Sequence, residues 1–149
     1  MGAISEKIEF DIDAPAELAY ETLLDIDALP QWSSSHKSAE VLERDADGNP
    51  SLVEVEAGLV GITDKLRFKY EFTENKCKWD TVGEGTAVRA QGGYYLLEPK
   101  GDKVHVLVDM YIDPKVKLPG FVVKKGVKMA ADIASKGFSK EVMRRKGAS

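Results

Sequence analysis

The chain has 149 residues, 43% of them apolar and 31% charged, the size and balance of one ordinary soluble domain with enough surface to bury a sizeable core. Its formal net charge of −4 gives no general attraction to phosphate backbones, which argues against nucleic acid as a partner. A lone cysteine, Cys77, cannot close an internal disulfide, and neither a charged-then-apolar leader nor an apolar run long enough to span a bilayer is present, so a reduced, cytoplasmic setting is expected.

From Ile4 to Ile12 the sequence alternates, with Ile4, Ile8, Phe10 and Ile12 pointing one way and Ser5, Lys7, Glu9 and Asp11 the other, which predicts a half-buried strand. Glu6 is in phase with the apolar set, yet close enough to the strand start to reach water. Asp13-Ala14-Pro15 then offers a capping side chain and a proline for a first turn, and Leu18, Thr22 and Leu23 recur at helical spacing, so a helix is expected over about 15–25. Asp27 can cap a short turn through Ala28 and Leu29, while Pro30 restricts Leu29, which makes 27–33 a helical corner.

After His36 the period of two returns. Turn chemistry at Asp47-Gly48-Asn49-Pro50, Gly58 to Gly61, Glu74-Asn75, Gly83-Glu84-Gly85 and Pro99-Lys100-Gly101-Asp102 separates segments that accommodate six strands. The clearest is Lys65 to Phe72, where Leu66, Phe68, Tyr70 and Phe72 alternate with Lys65, Arg67, Lys69 and Glu71, so one face is wet. Val104, Val106, Val108, Met110 and Ile112 repeat the pattern in the last strand, as do Val88, Ala90, Gly92, Tyr94 and Leu96 in the strand before it. Connections this short imply antiparallel neighbours.

From Pro119 to about Arg144 the period changes to about 3.6, with Val123, Gly126, Val127, Ala130, Ala134, Gly137 and Phe138 along one stripe, which predicts a long closing helix. Its cationic end, Lys140, Arg144, Arg145 and Lys146, suits the negative pole of the helix dipole. A single sheet with one apolar face needs cover, so it must curl around that helix. The middle of the stripe is small, whereas the facing sheet carries Tyr70, Phe72, Trp79, Tyr94 and Met110. Either backbones pack closely there, as the usual density of interiors demands, or volume is left open as an apolar cavity.

This order of elements resembles the START-like (SRPBCC) superfamily, the helix-grip fold shared by polyketide cyclases, lipid-transfer domains and pollen-allergen-like proteins. Ile8-Glu9-Phe10-Asp11-Ile12-Asp13-Ala14-Pro15-Ala16-Glu17 resembles the strand-to-helix opening of its bacterial polyketide cyclase/dehydrase and lipid-transport branch, and Asp25 to Trp32 resembles that branch's corner motif, an aspartate followed by an aromatic residue or leucine and then Pro-x-Trp. Gly83-Glu84-Gly85-Thr86-Ala87-Val88 is similar to the glycine-rich turn before a long strand. The resemblance covers nearly the whole chain and implies an α+β fold: a curved seven-stranded antiparallel sheet around a long C-terminal helix, with two short helices after the first strand. In the family the corner lies beside the mouth of the cavity. Trp32 would therefore anchor that segment, whether by packing or by touching a ligand, with Ser33-Ser34-Ser35 as a flexible exit into the second strand.

Hydrolase and metal signatures are missing. His36 and His105 are far apart, Cys77 has no Cys-x-x-Cys partner, and neither His-Glu-x-x-His nor a nucleophile elbow occurs. Gly83-x-Gly85 is followed by no helix and so reads as a turn, not a phosphate loop. Tyr70 and Tyr94 fall in phase with apolar neighbours, where a phenol can serve the core or bond a ligand carbonyl. His105, Asp109 and Arg89 belong to the outer face. Aromatase/cyclase members of the family use an arginine with tyrosine or histidine deep in the pocket, and no arginine here has the inward phase.

The expectation is thus a protein that holds a small hydrophobic molecule, such as a lipid, fatty acyl chain, isoprenoid or polyketide-like compound, with Trp32, Tyr70, Phe72, Trp79, Tyr94, Met110, Val127 and Ala130 lining the cavity and no cofactor, metal or catalytic residue. A polyketide cyclase or dehydratase is the alternative enzyme class. A carrier that docks on a membrane or partner is a third, with Val116 to Lys125 as its marker, although that segment is better read as the loop and first turn of the closing helix, whose core stripe needs its apolar residues.

Overall fold

A computed structural model of the chain describes residues 4–59 and 61–148. In chain order the elements are strand β1 (Ile4–Ile12), helix α1 (Ala16–Leu24), a 3₁₀ turn (Ile26–Ala28), helix α2 (Leu29–Trp32), strands β2 (His36–Arg44), β3 (Pro50–Leu59), β4 (Ile62–Thr73), β5 (Lys76–Thr81), β6 (Val88–Lys100) and β7 (Lys103–Pro114), then helix α3 (Gly120–Asp132), a π-helical stretch (Ile133–Gly137) and helix α4 (Phe138–Ala148). The strands form one antiparallel sheet in the order β1-β7-β6-β5-β4-β3-β2, so the first strand closes against the last. This is the helix-grip fold that the sequence predicts.

Alternation sets which face is buried. In β4, Leu66 and Phe68 are buried, whereas Lys65 and Arg67 reach Glu54 on β3 at 3.5 and 3.0 Å across the wet face. In β7, Val104, Val106 and Val108 are fully buried, and each apolar side chain of that size contributes about 1.5–3 kcal/mol by leaving water. β6 carries Gly92-Gly93, and the missing side chains are required: a Cβ at Gly92 would stand 2.5 Å from the Trp79 carbonyl oxygen, and one at Gly93 would collide with that of Asp109.

The helices depart from the expected capping. α1 begins after Pro15 with no side-chain cap. Asp13 serves the other end of the chain, its backbone carbonyl accepting Lys146 Nζ at 2.6 Å. Nearby, Arg145 Nη2 donates to Asp25 Oδ2 at 2.8 Å, and Arg144 and Arg145 converge on the buried Glu141. The Arg144 hydrogen bond, opposed by burial and reinforced by Arg145, holds the Glu141 carboxyl down at about 2. Through Asp13 and Asp25 these bonds fasten α4 to the segments on both sides of α1.

The closing helix is interrupted in its middle. Over the π-helical stretch, Tyr95 donates its hydroxyl to the Ala134 carbonyl at 3.1 Å and Ser135 Oγ donates to the Ala131 carbonyl at 2.6 Å, supplying partners where the regular ladder is disturbed. The two halves differ in burial. α4 buries Phe138, Glu141 and Val142, whereas α3 buries no residue fully.

Candidate functional site

The interior is filled at one end and hollow at the other. Phe138, Val142, Tyr95, Leu97 and the β7 valines pack with α1 into one core beneath α4, and Val53, Val55, Leu66 and Phe68 form a second with Ile26 and Leu29. Beneath α3 lies a cavity of about 190 Å³. Its roof is Val122, Val123, Gly126, Val127 and Ala130, and its floor includes Leu66, Trp79, Val88, Met110 and Ile112. Strand register builds that floor: Glu6, Met110, Gly93, Trp79 and Tyr70 lie in one row across β1, β7, β6, β5 and β4.

Polar groups sit among this apolar lining. His36, at the start of β2, has its Nδ1 2.6 Å from Ser33 Oγ and 3.3 Å from Ser35 Oγ, and Ser33 is itself buried. The serines are therefore a fixed cradle for the imidazole, not only an exit from the corner. Burial alone pushes the His36 pKa down to about 4, so the ring is neutral at physiological pH. Asp64 is buried too. Burial raises its pKa, but backbone N–H groups of Thr86, Ala87, Lys65 and Val88, at 2.9–3.1 Å, outweigh that and hold the carboxyl below its ordinary value. Asp64 thereby pins the glycine-rich turn before β6. Glu6, Gln91, Ser5 and Ser35 also line the space, as does Tyr111, whose hydroxyl donates to Asp80 Oδ1 at 2.9 Å.

The eight residues expected at the site divide. Trp79, Met110, Val127 and Ala130 line the cavity. Tyr70 stands behind Trp79, its ring stacked 6.3 Å from the indole and 5.9 Å from Phe72, and burial pushes its phenol pKa up. Phe72 belongs to the filled core, edge-on to Tyr20 at 6.0 Å. Trp32 packs 5.5 Å from Phe138, with its indole N–H buried and unpartnered among the described residues, so the corner is anchored on α4 and not on the cavity. Tyr94 lies on the outer face, under the Lys76 ammonium at 4.6 Å. The cause is a bulge between Val88 and Ala90 that shifts the inward phase of β6 from the even to the odd positions, so Tyr95 and Leu97 are buried instead.

His36, Gln91 and Glu6 were absent from the expected lining. The Ser-x-Ser-His spacing was the available signal for His36. Of the segment Val116 to Lys125, Leu118, Val122 and Val123 turn to the cavity while Phe121 is 76% exposed. Burial pushes the Cys77 thiol up, away from thiolate chemistry. Among the described residues no three His, Cys, Asp or Glu side chains gather as a metal site, and no helix is long and apolar enough to cross a membrane.

The same architecture recurs in solved structures. A START superfamily protein from Mycobacterium smegmatis superposes with a TM-score of 0.81 at 24% identity, over 95% of this chain and 97% of that one. The Zhui aromatase/cyclase from Streptomyces sp. R1128 gives 0.82 at 12% identity, over 97% and 96%. Norcoclaurine synthase from Thalictrum flavum, solved with dopamine and hydroxybenzaldehyde, gives 0.67 at 14% identity, over 96% and 88%. No curated protein sequence matches the chain. A family model does match, across residues 12–138, and the cavity under a gripping helix is where such a fold has room to work: the chain belongs to the polyketide cyclase/dehydrase and lipid-transport family.

Proposed function

We propose that the chain binds one small, mainly apolar molecule in the cavity beneath α3, in contact with Trp79, Met110, Val127 and Ala130. The observation that carries this reading is a helix of 13 residues, none of them fully buried, held over about 190 Å³ of apolar-lined space. An interior normally closes such a gap, because each void forfeits dispersion contacts. An engineered apolar cavity of about 150 Å³ takes up benzene, so the space suits a molecule of one or two rings. A longer chain requires α3 to lift. Binding is driven by the apolar surface removed from water, at about 25 cal/mol per Å². Cytoplasmic action belongs to the same reading, in keeping with the free, buried Cys77.

The test is titration with a dye that fluoresces in apolar cavities. One dye per chain is expected, and Ala130→Trp should abolish binding while thermal unfolding remains cooperative. A wild-type protein that takes up no dye overturns the reading.

A cyclase is the second reading, favoured by the placement of His36 on the cavity wall with Ser33 fixing its ring. A conjugate acid near 4 makes that imidazole a weak base at neutral pH and suits it better to orienting a ligand carbonyl. Turnover of a linear polyketide analogue by the wild type, lost in His36→Phe, would establish the enzyme.

A further inference from the structure

The geometry points to a selective cavity: it takes uncharged molecules bearing a hydroxyl or carbonyl that bonds to His36, and it rejects carboxylates. This rests on the binding reading above and adds the chemical class of the ligand.

The described lining contains the carboxyl groups of Glu6 and Asp64, the imidazole of His36 and the amide of Gln91, and no lysine or arginine. Lys117, Lys124 and Lys125 are close in sequence to the roof, but all are exposed and none lines the space. An anion placed inside would meet no cation. It would meet Glu6, whose carboxylate accepts one hydrogen bond among the described residues, from the Lys7 backbone N–H at 3.1 Å, and Asp64, whose charge is already taken up by surrounding N–H groups. Burying a carboxylate without a partner is among the costliest moves available to a protein interior.

An uncharged polar group does have a partner. Ser33 and Ser35 occupy Nδ1 of His36, and the other ring nitrogen makes no hydrogen bond to the described residues. Depending on the tautomer that Ser33 selects, that nitrogen donates to a carbonyl or accepts from a hydroxyl. Because the imidazole stays neutral, it offers a hydrogen bond without a charge to attract an acid.

The experiment uses four probes with one skeleton: hydrocinnamyl alcohol, hydrocinnamate, phenylpropylamine and propylbenzene, titrated by calorimetry against the full chain at neutral pH. The alcohol should bind about tenfold or more tightly than hydrocinnamate and roughly fivefold more tightly than propylbenzene. In His36→Phe the advantage over propylbenzene should vanish, and in His36→Gln, which keeps a hydrogen-bonding group, part of it should return. Hydrocinnamate binding as tightly as the alcohol, or the amine binding more tightly, overturns the selectivity while the cavity stands. If no probe binds, the cavity reading itself fails. The wild-type ratios decide the matter even if His36→Phe does not fold.

Discussion

A Cβ added to Gly137 would stand 2.8 Å from the carbonyl oxygen of Trp32, so the corner and the π-helical stretch touch backbone to backbone. Eleven residues earlier on the same stripe, a Cβ on Gly126 would meet nothing within 4 Å. Gly137→Ala should therefore lower stability by about 1–3 kcal/mol, because backbone must move to admit the methyl. Gly126→Ala should raise it by roughly 0.5–1 kcal/mol through helix propensity. Urea midpoints moving in opposite directions are the expected result, and equal shifts would show that the two sites are packed alike.

Trp79 and Tyr94 provide a matched test of which aromatic groups serve the cavity. Trp79→Leu should weaken dye binding about tenfold, whereas Tyr94→Ala, on the outer face, should leave it within about twofold. A large loss at Tyr94 would contradict the phase shift that the bulge imposes on β6.

Asp64 links the turn before β6 to β4 through backbone N–H groups alone. Asp64→Ala leaves those donors unpaired and should cost about 2–3 kcal/mol, with Asp64→Asn intermediate because one acceptor oxygen remains. Amide exchange at Thr86, Ala87 and Val88 should quicken in both. Unchanged exchange there would mean that the turn is held by other contacts.

The two histidines should oppose each other on acidification. His36 has its pKa depressed from 6.5 to about 4, so the unfolded chain binds the proton more readily and His36 removes stability as pH falls through that interval. His105 has its pKa raised by hydrogen bonds to Glu9 at 3.0 Å and Asp11 at 2.6 Å, so its contribution is full at low pH and is lost as pH rises through its folded value. Glu141, held near 2, begins to matter only below about its ordinary 4.5. Between about pH 7 and pH 5 the urea midpoint of His105→Gln should thus fall more steeply than that of the wild type, and that of His36→Phe should hold or rise. A His36→Phe protein that weakens with acid like the wild type would remove His36 from the account.

Much of this architecture was legible because alternation and helical period report directly on burial. The runs Lys65 to Phe72 and Val104 to Ile112 carry their inward faces in their alternation, and the change of period after Pro119 marks the closing helix. β6 departs from the expected alternation after Ala90 because a bulge inserts one residue into the pairing, and no side-chain pattern in a single strand announces that. The small-residue stripe left close packing and open space as alternatives. Both occur, the first at Ala134 and Gly137 and the second at Gly126 and Ala130, and the distinction depends on what faces each turn of helix, which lies far away in sequence. His36 has no companion ligand in the sequence, and its role comes from a cradle of Ser33 and Ser35 and a cavity wall assembled from other strands.

The π-helical stretch separates two kinds of constraint along one helix. C-terminal to it, Phe138 and Val142 are fully buried and Glu141 holds two arginines, so most substitutions there remove stability. N-terminal to it, Val122, Val123, Gly126, Val127 and Ala130 contact the cavity without full burial, and changes of size at these positions reshape the space at little thermodynamic penalty. Such a division makes the roof the natural place for inherited variation in the size and shape of the cavity, and the place for a designer to alter it first.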